Sequence, residues 1–247
     1  MTLPETEKFM RSLPRLSAND TLLFRCHPEV SCFNRCCGDL NLALSPYDVM
    51  RLRVALGVNS TEFMRKYAEV TPLEGNGFPS VMLKMETDAD QSCPFVLPEG
   101  CSVYPHRPGA CRVYPLGRGA SIDDDGNLTE EFLLVNEPHC RGFQEAPEAM
   151  TVSEYLDDQG MRPYIKFDNR YIQVMHRWNA RGRHLDQSLF SKVFVAAYRP
   201  DELSAYVGDP SLTAHIVKED RDTETYETAL LAFGFDWIER ALFGEHP

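Results

Sequence analysis

All eight cysteines of the chain lie between Cys26 and Cys140, and seven of them fall into two dense groups. The groups are Cys26, Cys32, Cys36 and Cys37, then Cys93, Cys101 and Cys111, and Cys140 follows alone. Thiolates gathered at short spacings are the ligands that zinc and iron–sulfur clusters require. We therefore predict that these cysteines bind metal.

Disulfide bonds are the competing explanation for an even number of cysteines, and they are typical of small secreted chains that cannot build an adequate core. With 247 residues and 43% hydrophobic composition, this chain can bury a sizeable core without them. Its first residues contain no apolar stretch of signal-peptide length, and no later run approaches the roughly 18 apolar residues of a membrane span. We expect a cytoplasmic protein with reduced thiols.

The net charge of −12 argues against a general attraction to nucleic acid or to an anionic membrane, so the expected partner is another protein or a redox partner. The charge next to the cysteines has the opposite sign. Arg25, Arg35, Arg112 and Arg141 each adjoin a cysteine. They either favour the thiolates and offset the charge of a metal centre, or are ordinary solvated arginines.

Hydrophobic periodicity and turn residues predict an α+β protein, with an irregular cysteine-rich core of short strands and loops followed by a helical C-terminal part. Ser45 and Pro46 are typical of a helix start, and Gly57 of its end. The residues Asp123–Asn127 predict a hairpin turn, because the twelfth position of a calcium loop would fall on Leu134. The remaining predicted helices are 60–68, 151–160, 167–181, 188–198 and 223–243, and the predicted strands are 81–85 and 131–135.

We expect residues 1–160 to form the metal-binding region and residues 161–247 to form a helical part packed on it as one compact unit. No linker rich in Pro, Gly or Ser separates the two, and the second part contains no cysteine. Its aromatic residues, Trp178 and Trp237 among them, are expected in the core rather than at a cofactor.

The spacing of the first group contains an adjacent pair, Cys36 and Cys37, which is unusual for a simple zinc module. Side chains of neighbouring residues diverge, so these two thiols can face two different centres. Eight thiolates then supply two complete four-ligand sites. The alternative is one cluster, with the remaining cysteines lining it or coordinating an incomplete second site.

Several segments together resemble the YkgJ-type cysteine-cluster family, a zinc- or iron-chelating domain related to flagellin lysine N-methylases. The segments, which lie within about residues 24–160, are CFNRCC from Cys32, LSPYDVMRLRVALG from Leu44, CPF from Cys93, CSVYPHRPGACRVYPLGR from Cys101, and Cys140 with Gly142 and Phe143. The resemblance implies metal chelation through the eight cysteines. It also implies an accompanying role at the cofactor for Arg107 and Arg112, with Pro108 between them.

These observations favour one or two iron–sulfur clusters, used for electron transfer or for cluster-dependent modification chemistry, because all of the ligands are thiolates and an adjacent pair is present. A structural or interaction module that binds zinc is the first alternative. A protein-lysine N-methylase-like enzyme is the second, although no glycine-rich nucleotide loop and no catalytic motif is found. His106 and His139 are candidate substitute ligands.

Overall fold

Helices and short antiparallel strands alternate in the computed structural model, which describes residues 3–123, 125–145, 149–216 and 222–244. The α-helices of these residues are α1 (Leu3–Ser12), α2 (Pro46–Leu56), α3 (Ser60–Tyr67), α4 (Gly109–Val113), α5 (Val152–Asp158), α6 (Arg162–Asn179), α7 (Gln187–Tyr198), α8 (Leu203–Val207) and α9 (Thr223–Phe243). The strands are β1 (Arg15–Leu16), β2 (Thr21–Leu22), β3 (Ala43–Leu44), β4 (Ala68–Pro72), β5 (Pro79–Leu83), β6 (Val96–Leu97), β7 (Gly100–Cys101), β8 (Leu116–Ile122), β9 (Leu128–Leu134) and β10 (Met150–Thr151). Short 3-10 helices span Arg35–Cys37, Tyr104–His106 and Pro200–Glu202. The predicted mixed fold with a helical C-terminal part is confirmed.

The strands form four small sheets in which every pairing is antiparallel. The two largest have the strand orders β1-β9-β8 and β3-β5-β4. Strands β8 and β9 are joined by the predicted hairpin turn, in which the amide of Asp123 donates to the carbonyl of Asn127 at 2.9 Å. The carboxylate of Asp123 accepts from the amides of Asp125 and Asn127, and Asp124 lies outside the described residues. The side chain of Asp123 thus stabilises the turn through hydrogen bonds to the backbone of the turn itself.

Helix α2 begins and ends as its sequence predicts. The Ser45 hydroxyl accepts from the amide of Asp48, and the Asp48 carboxylate accepts from the amide of Ser45, which makes a reciprocal capping box. Pro46 occupies the first turn, and Gly57 ends the helix in the left-handed conformation with φ of 64°.

The core lies where α2 meets the C-terminal helices α6, α7 and α9. Tyr47 of α2 stacks on Phe167 of α6 with ring centroids 4.9 Å apart, and Phe167 in turn packs against Phe235 of α9. Helices α7 and α9 cross closely at Gly234, where any Cβ would overlap the carbonyl of Ala196. The predicted bounds of 223–243 are confirmed, whereas α6 begins at Arg162, five residues before the predicted start, because Pro163 suits the first turn of a helix.

Several short elements were not predicted, chiefly β3, β4 and β8 and the five-residue helices α4 and α8. Each is too short or too polar for its periodicity to stand out from a loop. None of the described helices has the length and hydropathy that a membrane-spanning segment needs.

Candidate metal centre

Five separate segments carry the eight cysteines, and all eight are free thiols. Cys26 and Cys32 lie in the loop after β2, Cys36 and Cys37 in the first 3-10 helix, Cys93 before β6 and Cys101 in β7, Cys111 in α4, and Cys140 in the turn after β9.

The segments of Cys26 and Cys140 are joined by backbone hydrogen bonds. The amide of Arg25 donates to the carbonyl of Gly142 at 3.0 Å. The amide of Arg141 donates to the sulfur of Cys32 at 3.2 Å, which already shows this thiol in the role of an acceptor. The rings of Phe24 and Phe143 pack edge to face, 5.2 Å apart, beneath this junction.

A second junction joins the 3-10 helix to the loop before Cys93. The amide of Cys93 donates to the carbonyl of Cys37 at 2.7 Å, and Gly38 forms an antiparallel bridge with Ser92. The hairpin then returns the chain, because Val96 of β6 pairs with Cys101 of β7. Cys37, Cys93 and Cys101 are therefore held on one framework of backbone hydrogen bonds.

Helix α4, which carries Cys111, is fastened to α2 by a buried carboxylate. The Oδ1 atom of Asp48 accepts from the amide of Gly109 at 2.7 Å, while its Oδ2 atom completes the capping box of α2. Pro108, the residue before α4, provides no side-chain cap of its own. Asp48 thus caps two helices at once, and it sets the position of Cys111 relative to the core.

Arg107 and Arg112 brace the same loop against the end of α5. Arg107 donates to the side-chain oxygen of Gln159 at 2.6 Å and to the carbonyl of Tyr104 at 2.9 Å, and its guanidinium stacks on the Tyr104 ring at 3.8 Å. Arg112 donates to the carbonyl of Gln159 at 2.7 Å and to that of Arg107 at 3.2 Å. Burial lowers the pKa of Arg107, and its guanidinium interacts electrostatically with Cys26, Cys101 and Cys111.

The thiols lie at or near the surface of the protein. None of the eight cysteines is fully buried, and Cys26, Cys36 and Cys111 are exposed to water. The surrounding protein raises the pKa of Cys111 to about 12 and that of Cys26 to about 11, chiefly because it removes part of the water around each thiol.

The adjacent pair is chemically asymmetric. The Cys37 thiol hydrogen-bonds the Cys36 sulfur, which lowers the pKa of Cys36 to about 7 and raises that of Cys37. Burial also raises the pKa of Cys93 and Cys101. The Tyr114 hydroxyl is buried beside the Cys140 thiol, and burial together with this thiol raises its pKa.

Electrostatic interactions connect all eight thiols into one neighbourhood. Cys26 interacts with Cys36, Cys32 and Cys140. Cys37 interacts with Cys36, Cys93 and Cys111. Cys101 interacts with Cys93 and Cys111.

The donor set therefore fits a thiolate-bound metal in its chemistry and its location. In residues 3–123, 125–145, 149–216 and 222–244, no group of three or more His, Cys, Asp or Glu side chains has the arrangement of a metal-ion site.

Both candidate histidine ligands are half-buried. His106 Nδ1 and His139 Nε2 are buried without a hydrogen-bond partner among the described residues. Burial lowers the pKa of His106, and the charges that affect it come from Arg51, Glu224 and Arg112 rather than from a thiol. His106 therefore lies towards the junction of α2 and α9.

Local sequence patterns do not reveal the roles of Asp48 and Gln159 at the thiol site. The Asp48–Gly109 hydrogen bond spans 61 positions, and no local pattern encodes it. The sequence pattern identifies Asp48 only as the third helical residue of the α2 capping box. It identifies Gln159 only as a residue at the end of α5. Gly142 lies in the last of the segments that resemble the cysteine-cluster family, beside Cys140, and this position is the one sequence feature that points to it.

Residues 25–141 match the sequence model of a domain family named CxxCxxCC, described as a putative zinc- or iron-chelating domain. No curated protein and no solved structure matches the chain. The first cysteine group is more widely spaced here than in the name of the family, with five residues after Cys26 and three after Cys32. The predicted resemblance is confirmed: residues 25–141 are similar to this cysteine-cluster family of zinc- or iron-chelating domains.

Proposed function

We propose that this chain is a cytoplasmic iron–sulfur protein whose eight cysteines hold one or two clusters. The observation that carries the proposal is the convergence of eight free thiols, drawn from five segments, into one neighbourhood. Iron–sulfur clusters are bound by sets of cysteine thiolates, and no other ligand type is needed here. Residues 1–160 form the metal-binding region in this proposal, and residues 161–247 support it.

The surroundings of the thiols suit the negative charge of a metal–thiolate centre. Arg107 stabilises the thiolate forms of Cys26 and Cys101, and its own position is fixed by Gln159. Arg112 is braced by the same residue. We propose that these two arginines act at the cofactor by holding positive charge near it.

A bound cluster would supply one-electron redox chemistry or support a modification reaction. The chain's own residues would bind the cluster, offset its charge and leave one side of it accessible, since three of the cysteines are exposed. This accessibility suits exchange of electrons with a redox partner protein. A closed four-cysteine zinc site, the first alternative, would instead be structural.

Anaerobic purification followed by iron, zinc and acid-labile sulfide analysis tests the proposal. Iron with an equivalent amount of sulfide is the expected result, whereas zinc alone would overturn the cluster assignment in favour of the zinc module. The His139→Ala variant is the matched control, because it removes a nearby non-thiol donor and should leave the metal content unchanged. Binding of S-adenosylmethionine to the loaded protein would favour the methylase-like alternative.

A further inference from the structure

We propose that the eight cysteines form two separate four-thiolate centres whose membership does not follow the order of the sequence. The first centre consists of Cys26, Cys32, Cys36 and Cys140. The second consists of Cys37, Cys93, Cys101 and Cys111. This assignment rests on the proposed metal-binding function and adds the number of centres and the ligands of each.

Backbone contacts define the first set. The hydrogen bond from Arg25 to Gly142 brings the segment of Cys26 beside that of Cys140. The amide of Arg141, the residue after Cys140, donates to the sulfur of Cys32. Three cysteines that lie up to 114 positions apart in sequence are thus neighbours through contacts that involve no metal.

A different framework defines the second set. The hydrogen bond from Cys93 to Cys37 and the bridge between Gly38 and Ser92 join the 3-10 helix to the second cysteine group. The β6–β7 hairpin then places Cys101 beside Cys93.

The division falls between Cys36 and Cys37, where the 3-10 helix turns the chain. Successive side chains of a 3-10 helix point about 120° apart, since it has about three residues per turn. The two thiols are in contact, yet Cys36 can point towards the first set and Cys37 towards the second. The two neighbouring residues can therefore be ligands of two adjacent centres.

Electrostatic interactions support the same division. The strongest thiol interactions of Cys26 are with Cys36, Cys32 and Cys140, all in the first set. Beyond its direct neighbour Cys36, Cys37 interacts with Cys93 and Cys111 of the second set. Cys111 interacts most strongly with Cys93, and then with Cys101 among the thiols. Cys36 also interacts with Cys93 and Cys111 of the second set, because it lies next to Cys37 at the boundary between the two sets.

Partial loading of the wild-type protein with Zn²⁺ tests the assignment without any substitution. After one equivalent is added, the thiols are alkylated and intact single-zinc molecules are sequenced by mass spectrometry. We expect protection in groups of four that match one set or the other, and two equivalents at saturation. Protected groups that mix the two sets, or eight thiols protected together by one metal, would overturn the assignment.

Cysteine-to-serine variants provide an independent test with a built-in control. Cys26→Ser and the same-set double variant Cys26→Ser/Cys140→Ser should each lose one of two zinc equivalents. The cross-set double variant Cys26→Ser/Cys101→Ser should lose both. Equal metal content in the two double variants would contradict the division. If the wild-type chain takes up neither zinc nor iron, the proposed function itself fails, which is a different result from a wrong partition.

Discussion

Gly142 offers a test of how closely the two segments of the first thiol set approach each other. A Cβ at this position would lie 2.8 Å from the carbonyl oxygen of Arg25 and would overlap the ring of Phe24. Neither contact can be relieved by turning a flexible side chain, because one partner is backbone and the other is a buried aromatic ring. We therefore expect Gly142→Ala to push the Cys140 segment away from Cys26.

The sign of the change in the free energy of unfolding distinguishes Gly142→Ala from a glycine-to-alanine substitution at a site with free space. Gly142 is not in the left-handed region of φ, so alanine without a steric conflict would stabilise the fold by about 0.4–1 kcal/mol through the unfolded chain. Overpacking costs about 1–3 kcal/mol. The two effects together predict a net loss of about 0–2.6 kcal/mol in the free energy of unfolding.

Gly117 in β8 is the matched control, because a Cβ there meets its nearest neighbours at an ordinary 3.8 Å. Urea unfolding of both variants gives the change in stability, and competition with a chelator gives the affinity of each zinc equivalent. We expect Gly142→Ala to weaken one equivalent and Gly117→Ala to weaken none. If Gly142→Ala matched Gly117→Ala in stability and in zinc affinity, the close approach inferred for the first set would be wrong.

Three further predictions concern the adjacent pair, the core and the metal-free state. Cys36→Ser and Cys37→Ser should lose metal from different centres, and identical spectra of the two loaded variants would contradict this. Burial raises the pKa of Asp168 to about 7 from about 3.9 in an unfolded chain, so the folded protein should lose stability as pH rises from about 4 to 7. Asp168→Asn should remove that loss, as urea midpoints at pH 4 and pH 8 would show. Hydrogen exchange of metal-free protein should be faster across residues 26–37 than across α9, and equal protection would refute a structural role for the metal.

Local signals in the sequence were sufficient for the ends of α2 and α9 but not for the partition of the thiols. Ser45 and Gly57 mark the ends of α2 through capping chemistry that acts within one turn, so the sequence shows it directly. The thiol sets depend on contacts such as that between the amide of Arg141 and Cys32, which spans 109 positions. Spacing alone groups Cys37 with Cys26, whereas the backbone contacts join Cys37 to Cys93. Nothing in the local sequence shows that Cys37 belongs with Cys93 rather than with Cys26.

Helix α2 connects the cysteine region to the C-terminal helices, and this connection decides which ligands stay in place without metal. At one end Asp48 caps α4, the helix of Cys111. At the other end buried Arg53 pairs with Asp201 at 2.8 Å and with Glu227 of α9 at 3.2 Å. An ion pair with a buried arginine is costly to break, because removal of one partner leaves a charge without compensation.

Cys111 is therefore attached to the largest part of the core, through a helix that needs no metal to form. The residues around Cys26 and Cys32 have a weaker attachment, for which Val30 and Phe24 are the buried anchors. Metal should consequently bind first where α4 and the β6–β7 hairpin already hold the second thiol set, since less chain has to be ordered there. The first set should fill afterwards, and its binding free energy should appear as ordering of the loop from 26 to 37.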